Sequence, residues 1–160
     1  MREEWVAAGY NTGVVIDVRL RSADPLRIEV PATADRLAQI RRGLTAWLKP
    51  IGVPDDVIAD VVLAVNEAAT NCVEHAYRGS DRGVIVVEAS VEDNRLMVCV
   101  VDHGAWRTPS SEPSTRGRGI LIMRAVGDGV DVDNSGHGTT VRMTFDVTEG
   151  GRQELGSRTT

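Results

Sequence analysis

The sequence predicts an α/β two-layer sandwich: a mixed, mostly antiparallel sheet with its helices on one face. Three observations lead there. Leu26, Ile28 and Val30 alternate with Arg27 and Glu29, and Leu96, Val98 and Val100 alternate with Met97, Cys99 and Val101, the period of two expected of strands. Two longer runs, around 37–48 and from Pro54 to about 77, repeat their apolar residues at helical spacing. Asp93-Asn94 then offers a tight turn inside an otherwise apolar stretch, making 84–101 a hairpin.

Taken in chain order, residues 1–24 read as an N-terminal extension or linker, with a strand-like alternation over 14–20 inside it. Residues 26–30 form the first strand of a domain spanning 25–147. Thr33 can cap a helix on which Leu37, Ile40, Leu44, Trp47 and Leu48 share a face, a stripe suited to core or dimer contact. Pro54 opens a second helix and places Asp55 and Asp56 at its positive dipole end. At 100° per residue, Val61, Val65, Ala69, Cys72 and Ala76 line one side of it, and Asp60, Glu67, Asn71 and Glu74 the other. After the hairpin, 107–115 (RTPSSEPST) is a short Pro- and Ser-rich loop. A third helix starts at Gly117 and Gly119 and stops at Gly127, and strands near 129–133 and 138–147 follow it. The tail 148–160, rich in Gly, Arg and Thr, is expected to be flexible.

A chain of 160 residues, 42% hydrophobic, suffices for one core, and 26% charged residues with a net charge of −5 and no basic patch argue against a nucleic-acid partner. No apolar run approaches the ~18 residues of a membrane span, and no secretory leader is visible, so a cytoplasmic protein off the membrane is expected. Cys72 and Cys99 lie in apolar runs without a CxxC or clustered His and read as small hydrophobes. His75, His103 and His137 lack metal-ligand spacing and read as local hydrogen-bonding residues.

Glu67 and Asn71, in NEAATN, are the pair that points to chemistry. Their i,i+4 spacing sets a carboxylate beside a carboxamide on one helix face. An Asn carbonyl is a hard oxygen ligand suited to Mg²⁺, which otherwise leans on water and phosphate, and a neighbouring Glu can take a proton from a nucleophile. The competing interpretation is a solvated outer face. Against it, Asn66, Thr70 and Asn71 sit mid-helix, where each gives up as much as ~0.7 kcal/mol of propensity relative to Ala. Further along, TRGRG (115–119) places Gly117 and Gly119 at a helix start whose free N–H groups suit a phosphate, with Arg116 and Arg118 adding positive charge. A GxG alone signals a turn more often than a phosphate site, and this one lacks the Walker lysine and the Rossmann spacing. VVDHGAW (100–106) ends a strand with Asp102, whose carboxylate can accept from an exocyclic amine.

The order NEAATN, VVDHGAW, TRGRGILIM and GHGTTV (136–141) resembles the N, G1 and G2 boxes and following strand of the GHKL ATPase superfamily, whose members include gyrase B, histidine kinases and heat-shock chaperones. Within it, Glu74-His75-Ala76-Tyr77 after the N box and the GxGxxxM form of Gly117–Met123 resemble the anti-sigma-factor serine kinase branch. The resemblance covers about 26–147 and implies a Bergerat-type fold, ATP with Mg²⁺, and kinase activity. It implies that Glu67 activates a substrate serine and Asn71 binds Mg²⁺. Asp102 would read the adenine amine, assisted through water by Thr139, and Gly104 would let the backbone approach the base. Arg116, Gly117, Arg118 and Gly119 would hold the phosphates, and 107–115 would be the lid. The implied partners are an anti-anti-sigma factor, phosphorylated on serine, a sigma factor, and a second copy in a homodimer. One departure stands out: Trp106 replaces the second glycine of G1, where an indole caps the nucleotide or narrows its entrance. That substitution keeps a second function class open: an ATP-dependent binding module, cut from a larger phosphatase or sensor protein, that grips its partner without transferring phosphate. A histidine kinase is disfavoured because no separate helix with a phosphorylatable His precedes the domain.

Overall fold

The computed structural model describes residues 23–77, 83–103, 116–134 and 138–148. The strand expected over 14–20, Gly104, Trp106, the 107–115 loop and most of the C-terminal tail lie outside the described residues, as do the side chains of His75, Ala76, Tyr77 and Arg116.

Five strands form one sheet in the order β1-β2-β3-β5-β4, where β1 is Leu26–Pro31, β2 Val84–Glu92, β3 Arg95–Asp102, β4 Gly129–Asp133 and β5 Thr139–Asp146. All four pairings are antiparallel, so among the described residues the sheet contains no parallel pair. The hairpin turns where expected: Asp93 and Asn94 have φ of 47° and 61°, the two left-handed conformations of a type I′ turn, and Glu92 faces Arg95 across it. The Asn94 carbonyl accepts from Val147 N–H (2.9 Å), which ties the end of β5 to the turn.

Helices α1 (Leu37–Leu48), α2 (Asp55–Tyr77) and α3 (Arg116–Val126) cover the face that carries Ile85, Val87, Leu96, Val98, Val100, Met143 and Phe145, all buried. A turn of 3-10 helix, Ala34–Arg36, precedes α1. Thr33 makes no side-chain cap; its hydroxyl instead hydrogen-bonds the Asp35 carboxylate and holds that group below the usual carboxylate range. Pro54 accepts the first α2 bond from Ile58 N–H (2.9 Å), leaving Asp55 and Asp56 in the first turn beside the positive dipole end. Gly43 sits mid-helix in α1 at the usual propensity cost of roughly 1 kcal/mol. Contact geometry bears on it: a Cβ there would lie 2.6 Å from Ile28 Cδ1, so with Gly at 43 the Ile28 side chain of β1 packs against α1 without having to shift.

The α1 stripe is absorbed within the fold. Ile40, Leu44 and Leu48 are fully buried, Leu37 and Trp47 pack against the core, and Trp47 Nε1 donates to the Asp24 carbonyl (3.0 Å). Each fully buried aliphatic side chain of this kind contributes about 1.5–3 kcal/mol, so Ile40, Leu44 and Leu48 serve the core. The apolar face of α2 is wider than a single stripe, adding Val57, Ile58, Ala64, Ala68 and Val73, because that helix is covered by the sheet, α1 and α3. Cys72 is buried there as expected, whereas Cys99 lies half-exposed on the opposite face of the sheet, in register between Glu88 and Arg142. Gly127 ends α3 with its N–H on the Met123 carbonyl (2.9 Å) but without a left-handed φ; the next residue, Asp128, donates to Thr144 O (2.9 Å) and so fastens the helix end to β5.

Candidate functional site

The Glu67–Asn71 pair does not lie on a solvated outer face. Both residues are half-buried, while Glu74, one turn further, is exposed. What covers them is the first turn of α3. A Cβ built on Gly119 would stand 3.4 Å from Glu67 Oε2, 3.4 Å from Asn71 Nδ2 and 3.8 Å from Asn71 Oδ1. The absent side chain thus keeps open the space between a helix start and the two polar groups, which is the juxtaposition a phosphate and its metal require. Arg118, in the same turn, is exposed.

The other mid-helix polar residues of NEAATN have local partners. Asn66 Oδ1 accepts from Arg41 Nη1 of α1 (2.8 Å), and the Thr70 hydroxyl donates to the Asn66 carbonyl (2.7 Å). Their low helix propensity is therefore answered by structure. Asn71 and Glu67 are the members of the motif that face α3.

Asp102 closes β3 on the helix-bearing face and is 5% exposed, the one buried charged residue among those described. It pairs in register with Ile85 on one side and Thr139 on the other. Cys72, the residue after Asn71, is buried close enough to feel the Asp102 charge: burial first, and Asp102 second, push its thiol well above the ordinary range. Thr139 is half-buried opposite Asp102, where a shared contact to one ligand group is possible. Gly138, whose role the sequence reading missed, has φ +132°, and a Cβ on it would fall 1.9 Å from the Asp102 carbonyl oxygen. Its signal was the glycine directly before the Thr139-Thr140 strand start.

Two groups of the expected residues are thus brought together: Glu67 and Asn71 of α2 with Gly119 of α3, and Asp102 of β3 with Thr139 of β5; Arg118 lies in the same turn as Gly119. Gly117 lies in the opening turn of α3, as does the backbone of Arg116. Among the described residues no group of three His, Cys, Asp or Glu could by itself cage a metal. That donor set fits Mg²⁺, which takes one or two protein oxygens and completes its octahedron with phosphates and water. No helix among the described residues is long and apolar enough to cross a membrane.

Comparison with known proteins agrees with this geometry. Residues 30–145 match the family model described as Histidine kinase-like ATPase domain. The chain is 33% identical over 138 residues to Serine-protein kinase RsbW of Bacillus subtilis, covering 77% of this chain and 86% of that one. It is 35% identical over 99 residues to Anti-sigma F factor of Caldanaerobacter subterraneus, covering 54% and 68%. Among solved structures it is similar to the RsbU and RsbW domains of Rv1364c from Mycobacterium tuberculosis, with a TM-score of 0.64 and 30% identity over 78% of this chain, which spans 32% of that longer one.

Proposed function

Because the chain belongs to the histidine kinase-like ATPase family, in the branch of the anti-sigma-factor serine kinases, we propose that it is an ATP-Mg²⁺-dependent protein serine kinase that regulates a sigma factor. It phosphorylates an anti-anti-sigma partner on serine and binds the sigma factor in the cytoplasm. The observation that carries the reading is Gly119, which sets the start of α3 against Glu67 and Asn71 together.

In this reading bound ATP supplies the phosphoryl group, and its Mg²⁺ offsets the charge that develops on it. Asn71 Oδ1 holds the metal, while Gly117, Gly119 and the side chains of Arg116 and Arg118 hold the phosphates at the helix start. Asp102 accepts from the adenine amine, Thr139 supports that contact through water, and Gly104 leaves room for the base. Glu67 orients the partner's serine hydroxyl and takes its proton as the oxygen bonds to the γ-phosphorus and the bond to the ADP leaving group breaks. Positioning and charge stabilisation carry most of such a reaction, so the protein needs no nucleophile of its own.

The test is transfer of the labelled γ-phosphate from ATP to a purified anti-anti-sigma protein, with the acceptor serine identified by mass spectrometry. A second reading is favoured by the similarity to a domain that fills only 32% of a longer chain: a module that binds ATP and grips a partner without transfer. ATP-dependent partner binding with no phosphoserine formed would select it.

We also propose a homodimer. Its support is β1, which among the described residues lies at the sheet edge and pairs with β2 on one side only, the arrangement that can accept a further strand. The α1 stripe does not support it, being buried internally. Light scattering is expected to give twice the chain mass, 17.3 kDa each, and a monomer at high concentration refutes it.

A further inference from the structure

Gly138 stands out among the tightly packed glycines. At Gly43 and Gly129 an added Cβ would meet the far end of a side chain, Ile28 Cδ1 at 2.6 Å and Thr144 Oγ1 at 2.7 Å, and a rotamer change relieves it. At Gly138 the obstacle is backbone: Asp102 O at 1.9 Å, Asp102 C at 3.0 Å and His103 Cα at 3.3 Å. Its φ of +132° is one that L side chains rarely adopt. Gly138 immediately precedes Thr139, the register partner of Asp102. The start of β5 therefore lies directly on the peptide that carries the one buried carboxylate described. On its other flank Asp102 is the register partner of Ile85 in β2, and its charge reaches the buried Cys72 of α2.

We propose that Gly138 is a positioning residue that sets base selectivity. By letting β5 close onto the Asp102 carbonyl, it fixes the direction of the Asp102 carboxylate and its spacing from Thr139, so that the pair discriminates for a ligand bearing an exocyclic amine. The inference rests on the reading of Asp102 as the adenine contact. The physical reason is that a hydrogen bond weakens steeply with misdirection. A side chain at 138 must drive the strand ends apart, and a displacement of ~1 Å at a positioned group is enough to lose its advantage. Such a displacement leaves the phosphate-holding turn of α3 untouched, since Gly119 packs on α2 and not on β5.

The experiment measures, for the parent, Gly138→Ala and Gly129→Ala, the affinity of ATP and of purine riboside triphosphate, which is ATP without the 6-amino group. The parent is expected to favour ATP by about tenfold or more, the ratio typical of one hydrogen bond to a charged group. Gly138→Ala is expected to bring the ratio close to one, chiefly by weakening ATP, and Gly129→Ala to leave it within about twofold of the parent. The ratio is insensitive to marginal folding, because partial unfolding multiplies both apparent affinities by the same folded fraction. A ratio kept in Gly138→Ala overturns the inference alone. So does loss of both ligands without a change in ratio, or complete loss of binding, which would make Gly138 a residue of the fold. A parent that does not discriminate overturns the adenine reading of Asp102 and the inference with it.

Discussion

Replacing Glu67 with Gln is expected to leave ATP affinity within a few-fold of the parent and to lower phosphoryl transfer by ~10²–10⁴-fold, the usual loss when a positioned base is removed. The substitution keeps the size and one oxygen of a half-buried side chain on α2, so packing against the Gly119 turn is retained. What disappears is the ability to accept the serine proton. Single-turnover transfer to the partner, measured beside nucleotide binding, separates the two quantities. Equal transfer by parent and variant would remove Glu67 from the chemistry and leave it a water-orienting or structural residue. Asn71→Ala is the companion: it should weaken binding of ATP in the presence of Mg²⁺ while the melting temperature without nucleotide stays nearly unchanged. Collapse of the ligand-free fold would instead make Asn71 a packing residue.

Asp102→Asn is expected to weaken ATP binding by about 1.5–3 kcal/mol, the worth of a hydrogen bond to a charged group, or roughly ten- to a hundredfold in affinity. The side chain is 5% exposed and stands between Ile85, Thr139 and Cys72. An amide of the same shape presents one acceptor and one donor where the carboxylate presents two acceptors. Calorimetry reads the change, and thermal unfolding without ligand shows whether the fold is intact. Unchanged affinity would place the base elsewhere.

Local patterning was enough for most elements. The Asp93-Asn94 turn, Pro54 with the two aspartates after it, and the alternation along β1 and β3 are statements about backbone preference and period, and these act over a few residues. Where the reading went astray, specific side-chain partners decided. Thr33 bonds Asp35 in place of the backbone, and Asn66 and Thr70 are satisfied by Arg41 and by the helix itself. In the α1 stripe that suggested a surplus for dimerisation, Ile40, Leu44 and Leu48 are buried in the core and Leu37 and Trp47 pack partly buried against it.

The candidate site divides the same way. From the sequence alone came the residue types and their order: a carboxylate and carboxamide one helical turn apart, an acidic strand end, a glycine-rich helix start and a Thr-rich strand. Periodicity even placed Glu67 beside Asn71. It could not say whether that face meets water or another helix, because this depends on α3, some fifty residues later in the chain. Only the tertiary structure put Gly119 against the pair, laid Cys72 beside Asp102, and brought Gly138 onto the Asp102 carbonyl. Those are contacts between segments that no local preference couples; they form because burying one face of the antiparallel sheet under α2 and α3 leaves a single packing in which the ends of β3 and β5 and the start of α3 meet.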